Sequence, residues 1–170
     1  MSYTVEDGQP QGDAYFFTNK IREILIAEIY AINGYTNHIE NSNMEDLNVA
    51  WRSIMKDEKK HYGMLLNLLR KYDQVQYQQY NVHKNVKQGQ LSSMQKYKPE
   101  YDKQVILNNL REDIKGEFEA VILYEQHLIQ IHQQDIKNVL YSIITEEKGH
   151  AEHLTQILLK YDSDKYDSLV

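Results

Sequence analysis

The chain has 170 residues, 25 Asp+Glu against 19 Lys+Arg, a net charge of −6, 41% apolar residues and no cysteine. The missing cysteines exclude disulfides, thiolate metal sites, iron–sulfur clusters and a Cys nucleophile; the acidic balance argues against nucleic acid or an anionic membrane as the main partner. With 2 Pro, 7 Gly and only short apolar runs, the expectation is an all-α domain spanning 1–170, with no membrane span and no signal in the polar stretch Met1 to Gln11, hence cytoplasmic.

The first predicted helix carries apolar residues at Ile21, Leu25, Ala31, Ile32, Tyr35 and Ile39, a spacing of three to four. It breaks at Glu40-Asn41-Ser42-Asn43, where Asn43 is suited to cap the next helix. That second helix has its stripe at Leu47, Trp51, Ile54, Leu65, Leu68 and Tyr72. A polar segment rich in Gln, Tyr and Lys follows, from Gln74 to Lys98. The third helix reads through Ile106, Leu110, Ala120, Val121, Tyr124 and Leu128, with Pro99 suited to its first turn. After a break near His132-Gln133-Gln134, the fourth reads through Ile136, Leu140, Ile143, Leu154, Ile157 and Tyr161.

These four helices are two copies of one hairpin. Sliding the chain by 89 residues aligns 21–73 with 110–162 without a gap and gives 17 identities in 53 positions, against roughly 3 for unrelated segments. The matches include Glu28/Glu117, Tyr35/Tyr124, His38/His127, Glu58/Glu147 and His61/His150. The hairpins are expected at about 15–73 and 99–162, joined by a crossover at 74–98. A helix of about 25–30 residues is roughly 40 Å long, which about 25 extended residues can span. The second hairpin can therefore start parallel to the helix just ended, giving an antiparallel four-helix bundle with one long crossover between helices 2 and 3.

Glu58 and His61 interrupt the apolar stripe of the second helix, and Glu147 and His150 interrupt that of the fourth. Three residues apart, each pair shares one helical face. Glu28 and Glu117 lie in the stripes of the first and third helices. The spacing from Glu28 to Glu58 is 30 residues, and so is that from Glu117 to Glu147, which brings all six to one level of the bundle. Burying four unpaired carboxylates would be very unfavourable; two divalent cations would balance them, in the arrangement used by bundle di-metal sites. Two other readings stay open, an ion-pair core involving Lys59, Lys60, Lys115 or Lys148, and a solvent-facing coincidence.

Glu23, Glu112, Glu119, Glu146 and Glu152 fall off the stripes and are read as solvated. His38 and His127 are read as packing or capping residues, and His153 as an edge residue. Tyr35 and Tyr124 follow a candidate ligand by two turns and are either core residues or phenols hydrogen-bonded to a ligand carboxylate across the bundle. An oxygen-rich set with two imidazoles suits iron or manganese, with zinc a competitor. Two redox-capable ions support two-electron chemistry with dioxygen or hydrogen peroxide.

Through Glu28-x-x-Ala31-Ile32-x-x-Tyr35, Glu58-x-x-His61, Glu117-x-x-Ala120-Val121-x-x-Tyr124 and Glu147-x-x-His150, the chain resembles the ferritin-like superfamily, in its rubrerythrin and bacterioferritin branches. The resemblance covers roughly 15–73 and 100–162. It implies a ferritin-like bundle with two Fe ions, bridged by Glu58 and Glu147, with Glu28 and Glu117 as terminal ligands and His61 and His150 each capping one ion. It implies a ferroxidase- or peroxidase-type oxidoreductase that reacts with dioxygen or hydrogen peroxide, with an external electron donor and a homodimer or larger homo-oligomer as partners. Manganese catalase-like dismutation and iron storage without turnover are the alternatives. Rubrerythrins usually carry a further Glu where this chain has Ala120, and often a Cys-ligated iron domain, for which this chain has no Cys. The Gln/Tyr-rich crossover, with Tyr77, Tyr80, Tyr97 and Tyr101, reads as polar filler or as an interaction or cross-linking surface.

Overall fold

The computed structural model describes residues 16–84 and 101–162; Met1 to Gln11, Tyr97 and Pro99 lie outside them. Among the described residues there are five helices and no strand: α1 (Phe17–Glu40), α2 (Glu45–Tyr72), α3 (Gln74–His83), α4 (Lys103–Gln130) and α5 (Gln134–Tyr161). None of these helices is long and apolar enough to cross a membrane.

The four long helices are those read from the apolar periodicity, but their ends differ. Asn43 is exposed and does not cap α2; the cap position is Met44, whose backbone N–H donates to Ser42 Oγ at 3.1 Å. A side chain one residue too early cannot reach the amides at the helix start. In α4 the cap is Asp102, which accepts from the Gln104 and Val105 backbone N–H groups at 2.8 and 3.0 Å. The crossover opens as α3 rather than as extended chain. Asp73 caps this helix by accepting from Gln76 N at 3.0 Å, and α3 packs on α2 with the Arg70 guanidinium 3.8 Å from the Tyr80 ring centroid.

The helices form a ring in which α1 packs on α2 and α4, and α5 packs on α2 and α4. Cross-helix pairs give the directions. Lys20 meets Gln130 while His38 meets Asp113, so α1 and α4 are antiparallel. Lys71 meets Asp135 while Lys160 meets Asp46, so α2 and α5 are antiparallel as well. The diagonal pair α2 and α4 therefore runs parallel, as the crossover length requires. This is an all-α ferritin-like four-helix bundle.

The two hairpins are locked by matched contacts. Arg22 binds Asp73 in the first and Arg111 binds Asp162 in the second. Between hairpins, Asp46 accepts from Lys160 and Tyr161, and Asp135 from Lys71 and Tyr72. The core is split in two. One apolar cluster gathers Ile21, Leu25, Leu69, Leu140 and Ile143, and the other Tyr35, Trp51, Ile54, Leu110 and Leu158. The layer between them is polar.

Candidate metal centre

Glu28, Glu58, His61, Glu117, Glu147 and His150 all lie in that middle layer and are all buried, from 0% to 8% exposed. The helical register explains why. Each occupies a stripe position where an apolar side chain would otherwise point inward, so packing of the flanking Leu and Ile residues carries it into the interior.

His61 Nδ1 lies 3.6 Å from Glu28 Oε2, 3.7 Å from Glu58 Oε2 and 3.1 Å from Glu147 Oε1. His150 Nδ1 lies 3.2 Å from Glu58 Oε1, 3.7 Å from Glu117 Oε2 and 3.1 Å from Glu147 Oε2. The arrangement is two overlapping groups, Glu28-Glu58-His61-Glu147 and Glu58-Glu117-Glu147-His150, each able to bring one ligand atom per residue within 4.8 Å of the others. Glu58 and Glu147 belong to both. The two imidazoles face each other with centroids 6.1 Å apart.

No lysine enters this layer among the described residues. Lys60 pairs with Glu146, Lys115 with Glu112 and Lys148 with Glu125, all outside it, and Lys59 is exposed. Glu28 Oε2, Glu58 Oε1, His61 Nδ1 and Glu147 Oε1 are buried and lack a hydrogen bond of acceptable geometry. Such atoms are unfavourable unless something satisfies them, and convergent carboxylate oxygens and imidazole nitrogens are the donor set for divalent metal ions.

Burial pushes the carboxyls of Glu28 and Glu117 well above the usual carboxylate range. Burial also acts on Glu58, but the facing imidazoles of His150 and His61 hold it down at about 2. Burial opposes charge on both imidazoles, yet the facing carboxylates win. Both are raised, His61 chiefly by Glu147, Glu28 and Glu58, and His150, to about 12, chiefly by Glu117, Glu147 and Glu58.

The tyrosines connect the hairpins reciprocally. Tyr35 of α1 donates to Glu117 of α4, and Tyr124 of α4 donates to Glu28 of α1 at 3.0 Å. Burial, then the neighbouring carboxylates, raises both phenols well above their usual range, so they are neutral donors.

Two acidic residues flank the layer at its outer edge. His61 Nε2 lies 3.1 Å from Glu146 Oε2, and His150 Nε2 lies 3.6 Å from Asp57 Oδ2. Glu146 is therefore not the solvated residue its off-stripe position suggests; about 100° from Glu147, it turns toward α2 and meets His61 and Lys60. Asp57, also off the stripe, is its repeat mate. The available signal was an acidic residue directly before each Glu-x-x-His, hidden from an identity count because one is Asp and the other Glu. Glu23 also departs from expectation, since its carboxylate meets His127 Nε2 at 2.8 Å. Glu119 is only half-exposed, whereas Glu112, Glu152 and His153 are exposed as read. His38 pairs with Asp113 at 2.9 Å, and neither His38 nor His127 reaches the central layer.

A family model described as Rubrerythrin matches residues 21–158. The chain belongs to the rubrerythrin family. Among solved structures, this rubrerythrin-family chain is similar to a hypothetical protein from Pyrococcus furiosus, with 18% identity, a TM-score of 0.67, and coverage of 88% of this chain and 94% of the other. It is also similar to a two-domain protein from Anabaena variabilis containing DJ-1/ThiJ/PfpI-like and ferritin-like domains, with 9% identity, a TM-score of 0.70, and coverage of 89% of this chain and 41% of that one. At these identities the two structures support the fold alone. No curated protein matches the rubrerythrin-family chain.

Proposed function

We propose that this protein holds two divalent metal ions, iron foremost, and acts as an oxidoreductase toward hydrogen peroxide or dioxygen. The observation that carries this reading is the pair of overlapping four-residue groups sharing Glu58 and Glu147 in a buried, lysine-free layer. Glu28, Glu58, His61 and Glu147 would hold one ion and Glu58, Glu117, Glu147 and His150 the other, with the imidazoles offering Nδ1. Four carboxylates then balance two 2+ ions. Bound there, such ions supply two-electron chemistry, one electron from each.

The chain's own groups prepare the site. Glu146 accepts a hydrogen bond from His61 Nε2–H, and Asp57 lies on the same side of His150, which leaves both Nδ1 atoms aimed at the centre. Tyr35 and Tyr124 keep their protons and orient Glu117 and Glu28 by hydrogen bonds from the opposite hairpin. The apolar clusters on either side lower the local dielectric, which strengthens every electrostatic contact between them.

Aerobic addition of Fe(II) to the metal-free protein should give rapid oxidation that saturates near two irons per chain (about two, as in bundle di-iron sites). Oxidation no faster than in buffer alone would overturn the reading. Anomalous scattering at the iron and manganese edges, from protein purified without added metal, identifies the native metal.

A further inference from the structure

Between α1 and α4 lies a cleft with a volume of about 650 Å³, whose walls include Glu58, Glu117, Glu147, Tyr35 and Tyr124. It therefore reaches the central layer from the side opposite the imidazoles. A water molecule needs only about 10–15 Å³ of such space, so the cleft is far larger than dioxygen or peroxide requires. Its size falls in the range of small-molecule sites, about 300–1,000 Å³.

Small residues keep it open: Ala27, Ala31 and Gly34 on α1, Gly116 and Ala120 on α4. A Cβ added at Gly34 or at Gly116 would meet nothing within 4 Å. These glycines are therefore not there to let two helices touch. Four of the five are repeat mates, Ala27 with Gly116 and Ala31 with Ala120, whereas Gly34 is matched by Leu123, which is buried in the apolar core.

The walls are chemically selective. Asn33, Asn37 and Asn109 offer both donors and acceptors, and Tyr30 adds an aromatic surface. The charged groups are mostly acidic: beyond Glu58, Glu117 and Glu147 at its floor, the cleft is lined by Glu112, paired with Lys115, by Asp113, paired with His38, and by Glu119. This balance disfavours an anion and suits a neutral, planar, hydrogen-bonding molecule.

We infer that the α1/α4 cleft is the binding site of a neutral phenol or arylamine, which serves as the electron donor of the reaction. The inference rests on the peroxide reading of the metal centre. The reaction balances with hydrogen peroxide as oxidant. Two phenol O–H bonds, or two arylamine N–H bonds, break; each releases one proton and one electron and leaves a phenoxyl or arylaminyl radical. The peroxide O–O bond accepts both electrons and its oxygens leave as two waters.

The test uses the full chain, metal-free and zinc-loaded, with 2-methoxyphenol and aniline as probes. Binding is read by ligand-observed NMR, independently of turnover. Both probes should bind wild-type protein in both forms. Gly34→Phe and Gly116→Phe, which fill the cleft and replace no proposed ligand, should weaken binding by about tenfold or more while zinc content stays at the wild-type level. Gly34→Leu serves the same purpose if either larger variant does not fold. Absence of binding at millimolar probe, or binding indifferent to all of these substitutions, overturns the inference. Probe binding without peroxide consumption by the iron-loaded protein would defeat the peroxide reading, and with it the donor role. Peroxide consumption without probe binding would defeat the cleft alone.

Discussion

Replacing Tyr35 by Phe removes one hydroxyl and leaves the ring to fill the same space. In the metal-free protein, burial holds Glu117 toward its neutral acid form, so the lost bond is between neutral groups and costs about 0.5–1.5 kcal/mol. With a metal ion bound, Glu117 must be ionised. The bond then runs to a charged acceptor and its loss costs about 1.5–3 kcal/mol. The variant should therefore lose about 1–1.5 kcal/mol more stability in the zinc-loaded form than in the metal-free form. By the thermodynamic cycle that difference is a loss of metal affinity, about five- to tenfold. Urea unfolding of both forms gives the two stability costs, and competition with a chromophoric chelator gives the affinity independently. Tyr124→Phe, which breaks the mirror bond to Glu28, should behave alike. Equal costs in the two forms, or an affinity loss that does not match their difference, would refute the coupling of the phenols to metal binding.

Zinc loading of the metal-free protein near neutral pH should release between about two and four protons per chain, from the raised His61, His150, Glu28 and Glu117 groups. Calorimetry in buffers of different ionisation enthalpy counts them, and fewer than about one would contradict the proposed ligand set. Asp46 and Asp135 are held at about 2 by Lys160 with Tyr161 and by Lys71 with Tyr72. Their folded values lie below the unfolded one, so the stability they add is present above about pH 4 and is lost as pH falls toward 2. Urea unfolding across that window should show a shallower acid decline in the Asp46→Asn/Asp135→Asn double variant than in wild type. Trp51 is fully buried in the cluster that contains Leu110 and Leu158; Trp51→Ala should cost about 3–5 kcal/mol, seen as a drop of roughly 2–4 °C in Tm per kcal/mol.

Much of this molecule is written locally. A spacing of three to four places side chains on one face whatever the rest of the chain does, so four helices and two matched hairpins are readable from order alone. The same rule locates the six residues of the central layer, because a Glu or His in an apolar stripe is carried inward with its neighbours. The equal 30-residue intervals then put them at one level. Helix starts were less legible: one residue of error moved the cap of α2 from Asn43 to Met44.

What the tertiary structure decided is which hairpin answers which. Tyr35 reaches Glu117 and Tyr124 reaches Glu28, each across to the other repeat, and the outer nitrogen of His61 meets Glu146 of α5. These contacts depend on how far one helix slides and turns against the next, a quantity that no single helix contains. Residues such as Glu23 and Glu146, polar and off the stripe, look solvated along the chain. They become partners only where two helix edges close on each other. The α1/α4 cleft is of the same kind, since an alanine or glycine makes an opening only when the helix opposite also carries small residues at that height.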